Sequence, residues 1–139
     1  MDAKIKHLEM ILAIINRMSN NSFLLKGWTV TVISALLAVF IKNQGAYILA
    51  IFPVIMLWWL DAFFLRQEKL YRNLYKKVAL TDSKNIDFLM NTSLVSKKTD
   101  SWFKIFFSKT LFIFYGAIIG TILLCSTFLK KHLLLWGIC

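Results

Sequence analysis

The chain has few of the side chains that build catalytic or metal centres. Its 139 residues include only two cysteines, two histidines and seven acidic residues, and the sequence has no glycine-rich phosphate loop. Cys125 and Cys139 lack the spacing of a metal or disulfide framework, and the acidic residues are too dispersed for paired acid–base work. We therefore expect two free thiols, no cofactor, no metal site and no enzymatic activity.

Breakers of secondary structure are also scarce, and apolar residues are abundant. The sequence has one proline and five glycines, and 58% of its residues are hydrophobic, against about 45–50% in soluble domains. The apolar residues form blocks long enough to cross about 30 Å of hydrocarbon. We expect an all-α polytopic membrane protein with about three transmembrane helices. Two spans, at about 23–41 and 46–65, form a hairpin within 22–65, and 105–139 holds the third helix and a short apolar tail.

The segment before the first span has the pattern of an amphipathic helix at 1–21. Its apolar residues recur at three- and four-residue steps: Ile5, Leu8, Leu12, Ile15 and Met18. The segment is too short and too charged to span, so it fits a helix lying on the cytoplasmic leaflet. A helix that packs on a partner subunit fits equally well. The polar run Ser19–Ser22 predicts a break, with a new helix starting near Ser22.

The distribution of basic residues predicts the orientation in the membrane. The net charge is +10, and the positive charges flank the apolar blocks, where they retard translocation. The short loop Lys42–Gly45 carries one lysine, whereas the segment 66–104 carries most of the others. We expect a multi-pass protein of the inner membrane with a cytoplasmic N-terminus, a basic cytoplasmic segment at 66–104 and an outer C-terminus. Lys130 and Lys131 argue against that last crossing. Because the basic residues are explained by this orientation in the membrane, we do not expect nucleic acid as a partner.

Two opposite charges lie near the inner ends of the predicted hairpin. Lys26 and Asp61 are equally far from the turn Lys42–Gly45, so they lie at the same depth in an antiparallel hairpin. A charge within hydrocarbon usually finds a partner, which predicts an intramembrane Lys26–Asp61 pair. Two alternatives stay open. Both side chains can reach the headgroups independently, or Asp61 can face a water-filled lumen or pair with Arg66.

The third span carries two small residues four positions apart, Gly116 and Gly120. Such a pair lets two helix backbones approach closely in lipid. Gly27, Thr31, Ala35 and Ala38 form a looser version in the first span. Helix packing within one subunit and between subunits are equally compatible with this pattern. Because the chain has no soluble domain to complete its contacts, we expect a homo-oligomer.

A cluster of basic residues follows the second span on one predicted helical face. Its members are Arg66, Lys69, Arg72 and Lys76. Such clusters contact anionic lipid headgroups or water on the cytoplasmic side. Tyr71 and Tyr75 lie nearby and could stack on a nucleobase, which is the less favoured alternative.

Three stretches of the sequence resemble proteins of a known kind. Residues Asn16–Met18, Asn21–Trp28 and Leu60–Glu68 resemble small bacterial inner-membrane proteins, which are similar to the short transmembrane effectors of anti-phage defence operons. In such operons a separate sensor detects infection, and the membrane protein permeabilises or depolarises the membrane. The resemblance carries no site residues.

The resulting expectation is a homo-oligomeric membrane protein that forms or gates a pore in the inner membrane, with abortive infection as the role that the resemblance implies. A trigger, such as a cytoplasmic sensor or signalling protein, would act on 66–104 or on the N-terminal helix. The alternative is a membrane anchor or adaptor that recruits a cytoplasmic partner through residues 66–104.

Overall fold

The computed structural model describes residues 2–40, 49–82 and 88–135, and within these ranges it contains helices and no strand. The expected all-α fold is therefore confirmed. The helices, in chain order, are α1 (Asp2–Phe40), α2 (Ile51–Leu80), α3 (Ser93–Ser96), α4 (Trp102–Phe106) and α5 (Lys109–Leu135). The predicted turn at Lys42–Gly45 lies outside the described residues.

The first helix corrects the predicted break at Ser19–Ser22. α1 runs without interruption for 39 residues, so the separate amphipathic helix expected at 1–21 is wrong. Ser22 does not cap a helix start, because its hydroxyl donates to the carboxylate of Asp61 on α2. Ser19 and Asn20 are exposed, where such residues cost a helix only about 0.5 kcal/mol each. Tertiary contacts on both sides of the polar run therefore outweigh its local preference.

α1 and α2 pack side by side in opposite directions. Lys4 of α1 contacts the end of α2 through Ala79, Ser22 contacts Asp61, and Ile33 shares a core cluster with Val54. At about 1.5 Å per residue, α1 is about 58 Å long and α2 about 45 Å long, whereas hydrocarbon is about 30 Å thick. The hairpin is thus longer than a bilayer is thick. We call its excess part, residues 2–21 and 62–80, the stalk.

The stalk has its own small core, which covers part of the predicted apolar face of α1. The cluster consists of Ile11, Ile15, Leu70, Leu74, Val78 and Val95. Ile5 and Leu12, which were expected on the apolar face, are 50% and 46% exposed, whereas His7 is buried. Ile15 is buried and Leu8 packs against this core, as the apolar spacing predicts, so the position of α2 turns the covered side of α1 only partly away from the predicted face. Lys4 closes the far end by donating to the carbonyl oxygens of Ala79 and Thr81, at 2.7 and 2.9 Å.

α2 begins later than the predicted second span and then continues through the predicted boundary at residue 65. Its first residue is Ile51, and Pro53 lies in its first turn, where the missing N–H leaves no bond unmade. Residues 46–48 of the predicted span lie outside the described residues. The helix ends at Leu80, and Thr81 follows in an extended conformation.

The third predicted segment forms two helices rather than one. α4 ends at Phe106, and after Phe107 and Ser108 the long helix α5 begins at Lys109. α5 continues past Lys130 and Lys131 to Leu135, so its last turns take up part of the predicted apolar tail. Charged residues end the part of a helix that can sit in hydrocarbon, but they do not end the helix itself. Residues 136–139 of the apolar tail lie outside the described residues.

Within the described residues, two helices are long and apolar enough to cross a membrane. These segments are Asp2–Val39 and Lys109–Phe128, and only 17% of the residues in the most apolar window of each are buried. A core helix of a soluble protein would be mostly covered by other parts of its chain. The described part of α2 does not meet the same criterion.

Candidate functional site

A buried carboxylate joins three helices where the stalk meets the apolar part of the hairpin. Asp61 of α2 is fully buried. Its Oδ2 accepts from Lys26 Nζ of α1 at 2.6 Å and from Tyr115 Oη of α5 at 3.1 Å. Its Oδ1 accepts from the hydroxyl of Ser22 on α1. We call these four residues the Asp61 network.

Lys26 connects the network to the surface of the protein. Its side chain is 24% exposed, and its Nζ donates to Ser22 Oγ at 2.9 Å as well as to Asp61. Since Ser22 and Lys26 are four residues apart on one helix, both reach the same carboxylate. Ser22 and Lys26 both act as donors here, so the arrangement neutralises Asp61 and fixes α1 against α2. A buried charge that keeps all its partners is tolerated, whereas one that loses a partner is costly.

Aromatic rings surround the Asp61 network on its α4 side. The ring of Trp58 stacks between Phe106, with centroids 4.5 Å apart, and Tyr115, at 5.5 Å. Its Nε1 donates to the carbonyl of Phe106 at 3.0 Å. Trp59 and Trp102 form a second pair at 4.4 Å. Several rings at this level are exposed, namely Trp28, Trp59, Phe103 and Phe107. Exposed tryptophans at one level of a helical protein are typical of a membrane–water interface.

The predicted basic face is partly used by ion pairs within the chain. Arg72 NH2 lies 2.7 Å from Glu68 on the same helix, and Lys69 Nζ lies 3.2 Å from Asp100. Lys76 is exposed and has no ion pair among the described residues. Arg66 keeps a buried Nε that has no hydrogen-bond partner there. The four residues therefore do not act as one free basic face.

Asp100 ties the loop before α4 to the stalk. Besides Lys69, it contacts Lys104 at 2.6 Å. The hydrogen bonds from Lys104 and then Lys69 hold the pKa of Asp100 below its usual value of 3.8. The carboxylate thus stays charged and bridges α2 to α4.

The two glycines of α5 face open space rather than another helix of the same chain. A Cβ atom added at Gly116 or Gly120 would meet nothing within 4 Å, and the same holds for Gly27 of α1. These two glycines therefore do not bring another helix of the same chain into close contact with α5. The face is left available to lipid or to another copy.

Three polar residues that matter for this site were missed or misassigned from the sequence. Ser22 was taken as a helix start, and Tyr115 and Trp58 were not singled out. A lone tyrosine inside an apolar span is a usable signal, because a buried hydroxyl needs a partner. His7 is a further buried polar residue, 5.3 Å from the ring of Phe88, and its nitrogens have no partner within the described residues.

Comparison with known proteins gives no relative. No family model, curated protein or solved structure matches the chain. The described residues also contain no group of three or more histidine, cysteine or acidic residues that could hold a metal ion. The described residues therefore define only the class of the protein. It is an all-helical protein with two membrane-length helices and a buried charge network.

Proposed function

We propose that the chain crosses the inner membrane three times, with its stalk in the cytoplasm. α1 and α5 have the length and composition for it. The described part of α2 does not meet the same criterion, but its start packs in one cluster with Ile33 of α1 and Leu111 of α5, through Ala50 and Val54. If α1 and α5 cross, this part of α2 lies at the same depth. The tryptophans beside the Asp61 network then lie at the cytoplasmic interface.

We further propose that copies of the chain assemble and form or gate a pore that depolarises this membrane. The observation that carries this proposal is an uncovered face of α1 in its apolar part. The face consists of small and polar residues, all exposed in the single chain: Gly27, Thr31, Ser34, Ala35 and Ala38. Small and hydroxyl side chains favour contact with another helix or with water over contact with lipid tails. Assembly around this face gives those side chains such surroundings.

The Asp61 network is the part of the chain where a signal from the stalk would reach the membrane helices. It holds α1, α2 and α5 in one register, and it lies between the stalk and the uncovered face of α1. In the defence role that the resemblance implies, a separate sensor displaces the stalk. That displacement breaks the network and lets the membrane helices repack, as in other switches that rest on a two-state contact.

An ion-flux experiment tests the pore. Purified protein in liposomes with a voltage-sensitive dye is compared with a Thr31→Leu/Ser34→Leu variant. We expect the variant to lose depolarisation, because leucine makes the α1 face apolar and fills it. Val30→Leu is the matched control, since Val30 is exposed on a neighbouring face of the same helix. Intact oligomers that show no depolarisation under any trigger would remove the pore model.

A second candidate is a membrane anchor that recruits a cytoplasmic partner. The observation in its favour is that the stalk folds as a packed unit with its own core and keeps exposed lysines that form no ion pair with another described residue. Co-purification of a stoichiometric soluble partner, together with the absence of ion flux, would favour this candidate over the pore.

A further inference from the structure

A groove runs between the end of α2 and the short helix α3 on the stalk. It has a volume of about 600 Å³ and is lined by Asn73, Lys76, Lys77, Leu80, Thr81, Leu94, Val95 and Lys98. We call it the lysine groove. A smaller pocket of about 310 Å³ shares three of these residues and extends the surface toward Asp100. Cavities of this size accept one face of a short helix or a compact ligand.

The charges around the lysine groove are of one sign and unpaired. Lys76, Lys77 and Lys98 are all exposed and form no ion pair in the ranges that the structure describes. No carboxylate of these ranges lines the groove. Lys69 and Lys104, by contrast, are both matched by Asp100. The groove therefore carries three exposed positive charges that have no ion-pair partner among the described residues.

Apolar side chains also line the groove. Leu80 and Leu94 are 90% and 56% exposed, and Val95 beneath them belongs to the stalk core. Exposed leucines ringed by lysines match a ligand that has an apolar stripe with acidic residues beside it. A simple phosphate would satisfy the lysines but leave both leucines uncovered.

The depth of the groove separates it from the lipid headgroups, and this step rests on the proposed membrane placement. From Asp61, at the interface, residues 76 and 80 lie about 22–28 Å farther along α2 at about 1.5 Å per residue. The attraction of a membrane surface for basic residues decays within a Debye length of about 10 Å. The lysines of the groove therefore face the solution rather than the bilayer.

We propose that the lysine groove binds an acidic amphipathic helix of a soluble protein on the cytoplasmic side. The helix lays its apolar stripe on Leu80 and Leu94, and its carboxylates pair with Lys76, Lys77 and Lys98. This is the groove-bound mode of helix recognition, with charge complementarity that selects the partner. This proposal defines the chemistry of the cytoplasmic trigger or recruited partner. The proposal does not depend on whether the chain conducts ions.

A direct binding experiment uses the full-length protein in neutral detergent. The probe is a fluorescent synthetic helix with leucines on one face and glutamates on the other, and its anisotropy reports binding. We expect saturable binding that weakens about tenfold or more in a Lys76→Glu/Lys98→Glu variant, since charge reversal replaces attraction by repulsion. The matched control is Lys6→Glu/Arg17→Glu, which makes the same change of net charge at exposed sites of α1 away from the groove. The control is expected to bind as the unmodified protein does.

Further variants and probes separate the charge and the apolar contributions to binding. Lys76→Gln/Lys98→Gln and Leu94→Asn are expected to weaken binding separately, with unchanged helix content by circular dichroism. Equal loss in the α1 control, or equal binding of a probe with glutamine in place of glutamate, would overturn the proposal. If phosphatidylglycerol micelles or an oligothymidine bind instead, the acidic helix does not, and the same variants weaken that binding, the groove is a lipid or a nucleic-acid site. Ion flux measured on the same preparation tests the pore separately, so the two proposals can fail independently.

Discussion

Asp61 is fully buried, whereas its partner Lys26 keeps 24% of its side chain exposed, and this asymmetry decides what each substitution does. Removing the lysine leaves a buried carboxylate that only two hydroxyls can satisfy. Removing the carboxylate leaves an ammonium group on a flexible stem, which can turn toward water. Loss of Lys26 is therefore expected to destabilise the fold more than loss of Asp61.

We predict that Lys26→Met destabilises the protein by about 3 kcal/mol and Asp61→Asn by about 1–2 kcal/mol, since a lost partner leaves an uncompensated buried group. The double variant is expected to cost clearly less than the sum of the two. A double-mutant cycle from unfolding in sodium dodecyl sulfate, followed by tryptophan fluorescence, measures the coupling.

Lys97→Met serves as a control for the loss of one positive charge, because Lys97 is exposed and has no ion pair in the described part of the chain. Strictly additive effects of Lys26→Met and Asp61→Asn would mean that the pair contributes no coupling. A charge swap of the two residues is expected to rescue only partly, since Ser22 and Tyr115 would lose their acceptor.

Asp100 gives a pH dependence of known sign. Its pKa is lowered in the folded chain by Lys104 and Lys69, so its stabilisation is fully present above the unfolded value near 3.8 and is lost as the pH falls through the folded value. We predict that Asp100→Asn lowers Tm slightly at pH 7 and that the difference vanishes in strong acid. Thermal melting between pH 7 and 2 checks this. Asp82→Asn is the control at another exposed carboxylate, and a difference that grows with acid would contradict the assignment.

At the scale of elements, the continuity of α1 is the feature that most changes the architecture. One helix about 58 Å long carries the stalk contacts at one end and the uncovered face of small and polar residues at the other. A rod transmits a displacement, whereas two helices joined by a loop would absorb it. The length of α1 would thus let it connect the stalk to the helices that are proposed to cross the membrane.

We predict that Asn20→Pro destabilises the protein by about 3 kcal/mol, because proline removes one helical hydrogen bond and clashes with the preceding turn. Asn20 is exposed, so the cost comes from the backbone and not from lost contacts. Asn20→Ala is the matched control and is expected to be neutral or slightly stabilising. The same unfolding titration measures both, and an unaffected proline variant would restore the break at Ser19–Ser22.

The depth of Lys26 and Asp61 followed from counting residues outward from one turn, since an antiparallel hairpin fixes relative depth by sequence separation alone. Tyr115 could not be placed that way. Its position depends on how α4 folds back onto Trp58 and where α5 restarts after Ser108, and both are tertiary events. Ser22 was misread because the same hydroxyl suits a helix start and a buried carboxylate. Local preference does not distinguish the two uses.

At the scale of the whole molecule, a single copy leaves much of its membrane-length surface uncovered. Only 17% of the most apolar window is buried in either candidate helix, and the glycines of α5 face open space. In lipid, contacts between helices come from close backbone approach and van der Waals contact rather than from the hydrophobic effect. Glycine faces therefore indicate where a second copy fits with least obstruction.

We predict that Gly116→Leu/Gly120→Leu abolishes assembly while leaving the fold of one chain intact. The fold survives because a side chain at either position meets no atom of the same chain within 4 Å, but two backbones can no longer approach there. The native mass of the detergent-extracted complex reports the subunit number. Ala117→Leu, exposed on the adjacent face of α5, is the matched control and should keep the wild-type mass. If the glycine variant also keeps that mass, the copies meet elsewhere, and the uncovered face of α1 around Thr31 becomes the next candidate for their contact.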